Sequence, residues 1–245
     1  TDHGLDADLS EMLKALESDG PVGVLGNRLT VFNIGRIDSI QTAVEIFRKM
    51  LGEGNWRTCT GCACNRDCPL KGNVSMLQVG LDIVCERVNL LYRRLYQYGG
   101  RLTLRQMTGH LAYAVTAGLT CDEVHRMSIT ERQEGASQYR FYNRFFGDSG
   151  QAVLPEAGQL IPVAHIRQAD FGSVLDSGFE RRLWHELDTD LSLVSAAHDL
   201  IQELIEKHRK PEPGDRGALR RQARRLVYFF GSLNDYSGKQ FIHAF

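Results

Sequence analysis

Four of the chain's six cysteines fall within ten positions, in CTGCACNRDCP (59–69). This segment is short, polar and flanked by two helical patterns, so it has no apolar core of its own to hold it. In a reducing compartment, clustered thiols favour metal or redox chemistry over structural disulfides. Cys59-x2-Cys62 sets two thiolates on one tight knuckle, and Cys68 returns after five residues. Zinc closes such a structural site with four tetrahedral ligands. Three residues compete for the fourth position. Cys64 is nearest in sequence, but a single-residue gap from Cys62 strains a shared tetrahedron. Cys121 can fold back from beyond two helical segments, and His110 is a weaker candidate. An iron–sulfur reading competes, because three close cysteines end in Cys68-Pro69, although the middle gap is one residue rather than two. A redox CxxC is the third reading, but it lacks the βαβ pattern that accompanies one. Cys85 lies in the following helix and reads as a small core residue.

No apolar run approaches the roughly 18 residues of a membrane span. The N-terminus, TDHGLDADLSEMLKALESDG, is acidic, lacks an initiator Met and lacks the basic-then-apolar order of a secretory signal. The expectation is a cytoplasmic protein, part of a longer chain, with no membrane partner. The net charge of −1 hides a polarised chain. Six acids oppose Lys14 in residues 1–20, and nine Lys/Arg oppose three acids in residues 207–239.

The pattern is mainly helical. A short helix over 8–18 precedes RLTVFNI (28–34), which reads as a strand after a Gly26-Asn27 turn. Asp38 or Ser39 caps a helix running to about Leu51. Leu77, Leu81, Val84, Val88, Leu91 and Leu95 alternate in steps of four and three, one apolar stripe on a helix of about seven turns. Gly99-Gly100 ends it. Thr103 caps the next helix, with Leu104, Met107, Leu111 and Val115 on one face and Gly118 at its end. CDEVHRM (121–127) forms a short helix. Residues 131–188 are less regular: YRFYNRFFG (139–147) reads as aromatic core, and GQAVLPEAGQLIPVAH (150–165) as a strand or two. A helix resumes from Asp190, RKPEPGD (209–215) is a loop, and Asp215 caps the last helix.

RLTLRQMTGHLAYA (101–114) resembles the sensor-2 helix of AAA+ ATPase lids, the match falling on Thr103 and Arg105. The order of Cys59, Cys62, Cys68-Pro69, Asn73, Thr103-Leu104-Arg105 and Cys121 resembles large bacterial antiphage-defence ATPases over about residues 28–125. The resemblance implies that Arg105 reaches the γ-phosphate of ATP, a role suited to the guanidinium fork. It also implies that the strand of 28–34 ends an ATPase sheet and that the chain works as an oligomer with the rest of the ATPase or its partner subunits. Yet the chain contains no G-x-x-x-x-G-K-[ST] and no Walker B run. ATP therefore enters only where an upstream or partner nucleotide domain supplies the phosphate cradle.

In GALRRQARRLVYFFG, Arg220 stands four residues from Arg224 and Arg221 four from Arg225, with Arg216 a turn earlier. Like charges at this spacing repel, and an anion relieves them. DNA or RNA phosphate is one such anion, and internal or subunit carboxylates are the other. The DFG triplet at 170–172 lacks every other kinase element.

The expected architecture is a mainly α, lid-like helical bundle with a Cys-rich metal loop and one or a few short strands. It divides into an N-terminal segment (1–37), a zinc loop with helical lid (38–130) and a helical module with a basic last helix (131–245). The expected function is the non-catalytic C-terminal region of an AAA+-type ATPase of antiphage defence. The alternative is a free-standing zinc-dependent nucleic-acid-binding regulator. The expected metal ligands come from Cys59, Cys62, Cys64, Cys68 and Cys121, the phosphate contact from Arg105, and the anion contacts from Arg216, Arg220, Arg221, Arg224 and Arg225.

Overall fold

The computed structural model describes residues 2–18, 22–31, 38–134, 139–147, 175, 177–208 and 215–231. It is mainly helical, with one small sheet, and divides into two compact units, Thr1–Thr42 and Ala43–Phe245. The strands expected over 150–165, the DFG triplet and the loop of 209–214 lie outside the described residues.

The first unit holds α1 (Asp2–Leu16) and a hairpin of β1 (Val22–Val24) and β2 (Leu29–Val31). The strands pair antiparallel with Val22 opposite Val31 and Val24 opposite Leu29. Leu25, Gly26 and Asn27 all take positive φ in the connecting turn. The strand read over 28–34 is thus only three residues long where it is described, and its partner is a hairpin neighbour. Asp38 rather than Ser39 is the helix cap, its Oδ1 accepting from the Ile40 and Gln41 amides at 3.0 Å each.

α2 (Ser39–Met50) crosses the boundary between the units and leads to a 3-10 helix, η1 (Glu53–Gly61). α3 (Pro69–Val79) and α4 (Leu81–Gln97) replace the single long helix expected through Leu77 and Leu95. Gly80, at φ −106° and ψ 29°, leaves the helical path and separates the two helices. The apolar stripe nevertheless stays in register, with Leu77, Val84, Val88, Leu91 and Leu95 buried and Leu81, just past the break, half-buried. α4 ends where the glycine pair predicts. Gly99 is left-handed (φ 91°) and the Gly100 amide donates back to the Leu95 carbonyl at 2.9 Å.

α5 (Leu104–Thr116) begins with a full capping box between Thr103 and Gln106. It is followed by α6 (Cys121–Arg126), α7 (Ile129–Glu134) and α8 (Phe141–Phe145), then α9 (Ser177–Leu187), α10 (Leu191–His208) and α11 (Asp215–Phe230). α9 falls in the stretch that reads as irregular. α8 packs on α5, and α11 packs on α4, α8 and α10, so the segments expected to part at residue 130 share one unit. Its centre is aromatic. The Phe141, Phe145 and Phe229 rings sit with centroids 5.1–5.7 Å apart, at edge or tilted angles. YRFYNRFFG is therefore core, as its aromatic spacing suggests, and Arg140 and Arg144 are buried with it.

Asn73 is wholly buried and binds three backbone groups. Its amide donates to the Val115 carbonyl at 2.9 Å and the Tyr139 carbonyl at 2.8 Å, and its oxygen accepts from the Phe141 amide at 3.0 Å. α3 is thereby tied to the end of α5 and the start of α8, which fixes the helix that grows out of the cysteine loop. Among the described residues no helix is long and apolar enough to cross a membrane.

Candidate metal centre

Backbone turns curl the cysteine loop upon itself. The Cys62 amide donates to the Cys59 carbonyl at 3.3 Å, Asn65 to Cys62 at 3.0 Å, and Asp67 to Cys64 at 3.1 Å. Cys59 sits in η1, and Cys68 is the N-cap of α3, with Pro69 at the position where a missing amide hydrogen costs nothing. The second wall comes from α6. A capping box joins Thr120 and Glu123 and fixes its start. Cys121 and His125 are four residues apart on this helix and so project from one face.

One cleft collects Cys59, Cys62, Cys64, Cys68, Cys121 and His125. The Cys62 Sγ lies 3.3 Å from His125 Nε2. Ligand atoms of Cys62, Cys64 and His125 all lie within 4.8 Å of one another, so this trio is able to hold a metal ion. Cys64 is buried in a small apolar cluster with Leu70 and Val124, while Cys121 and His125 are exposed at the mouth. Arg132 donates to the Val124 carbonyl at 3.0 Å, the Met127 carbonyl at 2.8 Å and the Cys64 sulfur at 3.5 Å. It thus docks α7 against the loop and supplies a positive charge beside one thiol.

The thiols influence each other. Partial burial pushes the Cys59 thiol up, the nearby Cys121 and Cys62 add to this, and Lys71 opposes them. Burial also raises Cys68, the Lys71 and Leu70 amides at the start of α3 oppose it, and Cys59 and Cys121 raise it further. Cys59 and Cys68, held toward the neutral thiol by burial and by their neighbours, are poor anions alone, and a bound divalent ion reverses that balance and displaces the protons.

The structure thus brings together all five cysteines singled out by spacing, and Cys64 stands closer to Cys62 and His125 than the single-residue gap suggests. His125 is the donor that loop spacing misses; its signal is the i, i+4 relation to Cys121. His110 is not part of the site. It is fully buried beneath α8, its Nε2 donating to the Phe145 carbonyl at 2.9 Å and its Nδ1 accepting from the Tyr92 hydroxyl at 2.8 Å. Burial lowers its pKa to about 4, so it is a neutral core histidine. Cys85 is buried in α4, as its helical position predicts.

The arginines of α11 part company. Arg225, expected to meet an external anion, is 1% exposed and grips the Glu180 carboxylate through two bonds of 2.8 Å each. It also donates to Asn143 Oδ1 at 3.1 Å, and its guanidinium lies over the Phe146 ring. Arg224 is half-buried and pairs with Asp188 at 3.1 Å. Carboxylates of α9 and the turn after it supply the internal partners, so Arg225 is sealed from any external phosphate, while Arg224 shares its charge with Asp188 at a partly exposed pair. Arg220 and Arg221 remain exposed, and Arg216 lies in the first turn of α11. Arg105 is exposed in the first turn of α5, behind the Thr103 cap.

Comparison of the chain with protein-family models, with curated proteins and with solved structures gives no match.

Proposed function

We propose that this chain is a non-catalytic, zinc-stapled helical region of an AAA+-type ATPase, of the kind used in bacterial antiphage defence. The observation that carries the staple is the convergence of donors from η1, the loop, the start of α3 and α6 on one cleft. Zinc is favoured over an iron–sulfur cluster by the donor set. His125 stands among the donors 3.3 Å from the Cys62 sulfur, and mixed Cys/His sets are usual for structural zinc, whereas most iron–sulfur clusters take cysteine alone. The ion would hold a segment that has little core of its own and would set the angle at which α3 leaves it.

The lid reading draws on the resemblance and on α5. Its capping box holds the first helical turn while Arg105 stays exposed there, as a residue reaching toward a neighbouring nucleotide domain must. The test is ATP turnover by the assembly containing the upstream or partner nucleotide domain. Arg105→Ala is expected to lower turnover at least tenfold, as loss of a phosphate-binding arginine does, and unchanged turnover would remove the sensor role. The alternative of a nucleic-acid-binding regulator keeps Arg220 and Arg221 as exposed cations but loses Arg225 to a buried internal pair.

A further inference from the structure

Two arginines inside the helical unit lack a counter-charge. Arg140, just before α8, and Arg144, one turn on, are each more than nine-tenths buried, at 7% and 8% exposure. The Arg144 amide donates to the Arg140 carbonyl at 3.0 Å, and residues four apart share one face. The Nε of each is sealed from water without a hydrogen-bond partner. Among the described residues no carboxylate pairs with either guanidinium, in contrast to Arg225, which grips Glu180. Burial pulls the Arg140 pKa below its usual value, as an uncompensated interior cation requires.

The surroundings hold both groups in place. Arg144 Nη1 donates to the Tyr113 hydroxyl at 3.0 Å, and the guanidinium lies 5.9 and 5.8 Å from the centroids of the Tyr113 and Tyr139 rings. Arg140 reaches α3 where residue 72 is glycine, and a Cβ there would stand 3.1 Å from its Nη1. Gly72 thus gives the guanidinium a clearance that a side chain would remove. Two like charges buried four residues apart without an acid are costly, and a bound anion reverses that cost.

We infer that Arg140 and Arg144 form a receptor for one phosphate-class oxyanion, the planar guanidinium fork being matched to such oxygens. With less than a tenth of each arginine exposed, the ligand is free phosphate or the terminal phosphoryl group of a nucleotide, and a nucleic-acid backbone does not reach it. The receptor shares no residue with the metal cleft and does not involve Arg105, so it stands or falls apart from the reading above.

The experiment is calorimetry of the full chain, freed of phosphate and kept at constant ionic strength with chloride, as inorganic phosphate or, separately, ATP is added. The expected result is one anion bound per chain and a melting temperature raised by about 5 °C at ~100 times Kd. Saturation by phosphate alone assigns the site to the free anion, and tighter binding of ATP assigns it to a phosphoryl group. No rise with either overturns the receptor, and this arm needs no substituted protein. Arg140→Met keeps an apolar stem and removes the charge, so it is expected to abolish the rise and to melt no lower than the native chain in phosphate-free buffer. A rise that survives Arg140→Met, or a variant that melts several degrees lower without phosphate, overturns the receptor, the latter because Arg140 would then be already paired within the chain.

Discussion

Arg225 of α11 and Glu180 of α9 form a bidentate ion pair inside the aromatic core, 45 residues apart in sequence. The Trp184 indole donates to the same carboxylate at 2.9 Å and Asn143 Oδ1 accepts a further guanidinium hydrogen, so both Glu180 oxygens and all three Arg225 nitrogens have partners where α8, α9 and α11 meet. Such a pair gains little over an apolar replacement but is costly to break on one side, since the survivor is left charged and dry.

Removing one partner should therefore cost far more than removing a surface arginine. Arg225→Ala is expected to lose about 3–5 kcal/mol, whereas Arg220→Ala changes stability by less than ~0.5 kcal/mol. Urea unfolding of the two variants checks the contrast, and equal losses would show that Arg225 is not the interior partner of Glu180.

Stability should fall in mild acid through His110. Its pKa drops from 6.5 in the unfolded chain to about 4 in the fold. The unfolded state therefore binds the proton first. The contribution is complete above pH 6.5, shrinks as pH falls, and is gone near pH 4. The full swing is ~3 kcal/mol. Urea midpoints measured across this window should slope for the native sequence and flatten for His110→Gln.

Trp56 reports on the metal cleft, because it lines the cleft while its indole donates to the Met50 carbonyl at 2.9 Å. In a Trp184→Phe background, a strong chelator is expected to shift Trp56 emission to the red as η1 and the loop loosen. Far-ultraviolet circular dichroism should change far less, since the helices of the aromatic core do not depend on the ion. An emission spectrum indifferent to chelation would separate the loop's order from metal binding.

The start of α5 depends on one hydroxyl. The Gln106 amide donates to Thr103 Oγ1 at 3.2 Å, and Gln106 Oε1 accepts from the Thr103 amide at 2.9 Å. Thr103→Ala should cost about 1 kcal/mol, and Thr103→Ser should restore most of it. Arg105→Ala, an exposed change two residues on, should leave the melting temperature alone. This separates a phosphate-contact role for Arg105 from a structural one.

Much of this was legible from local chemistry. Capping and stop signals act within a few residues, so Asp38, Thr103 and the Gly99-Gly100 pair place helix ends from their own side chains and backbone freedom. The stripe from Leu77 to Leu95 identifies the buried face even though Gly80 breaks the helix beneath it. Cysteine spacing likewise marks the loop as a metal candidate. The remaining facts depend on residues far apart in sequence. Whether an arginine on α11 faces water or a carboxylate is set by where α9 packs: of four arginines with similar local patterns, Arg224 and Arg225 meet acids of α9 and the turn after it, while Arg220 and Arg221 are exposed. His110 and His125 are equally plain in sequence, yet packing buries the first beneath α8 and sets the second 3.3 Å from a thiol. Periodicity and spacing act through the chain and so were determined by the sequence alone. Burial and pairing act through space, and only the tertiary structure decided them.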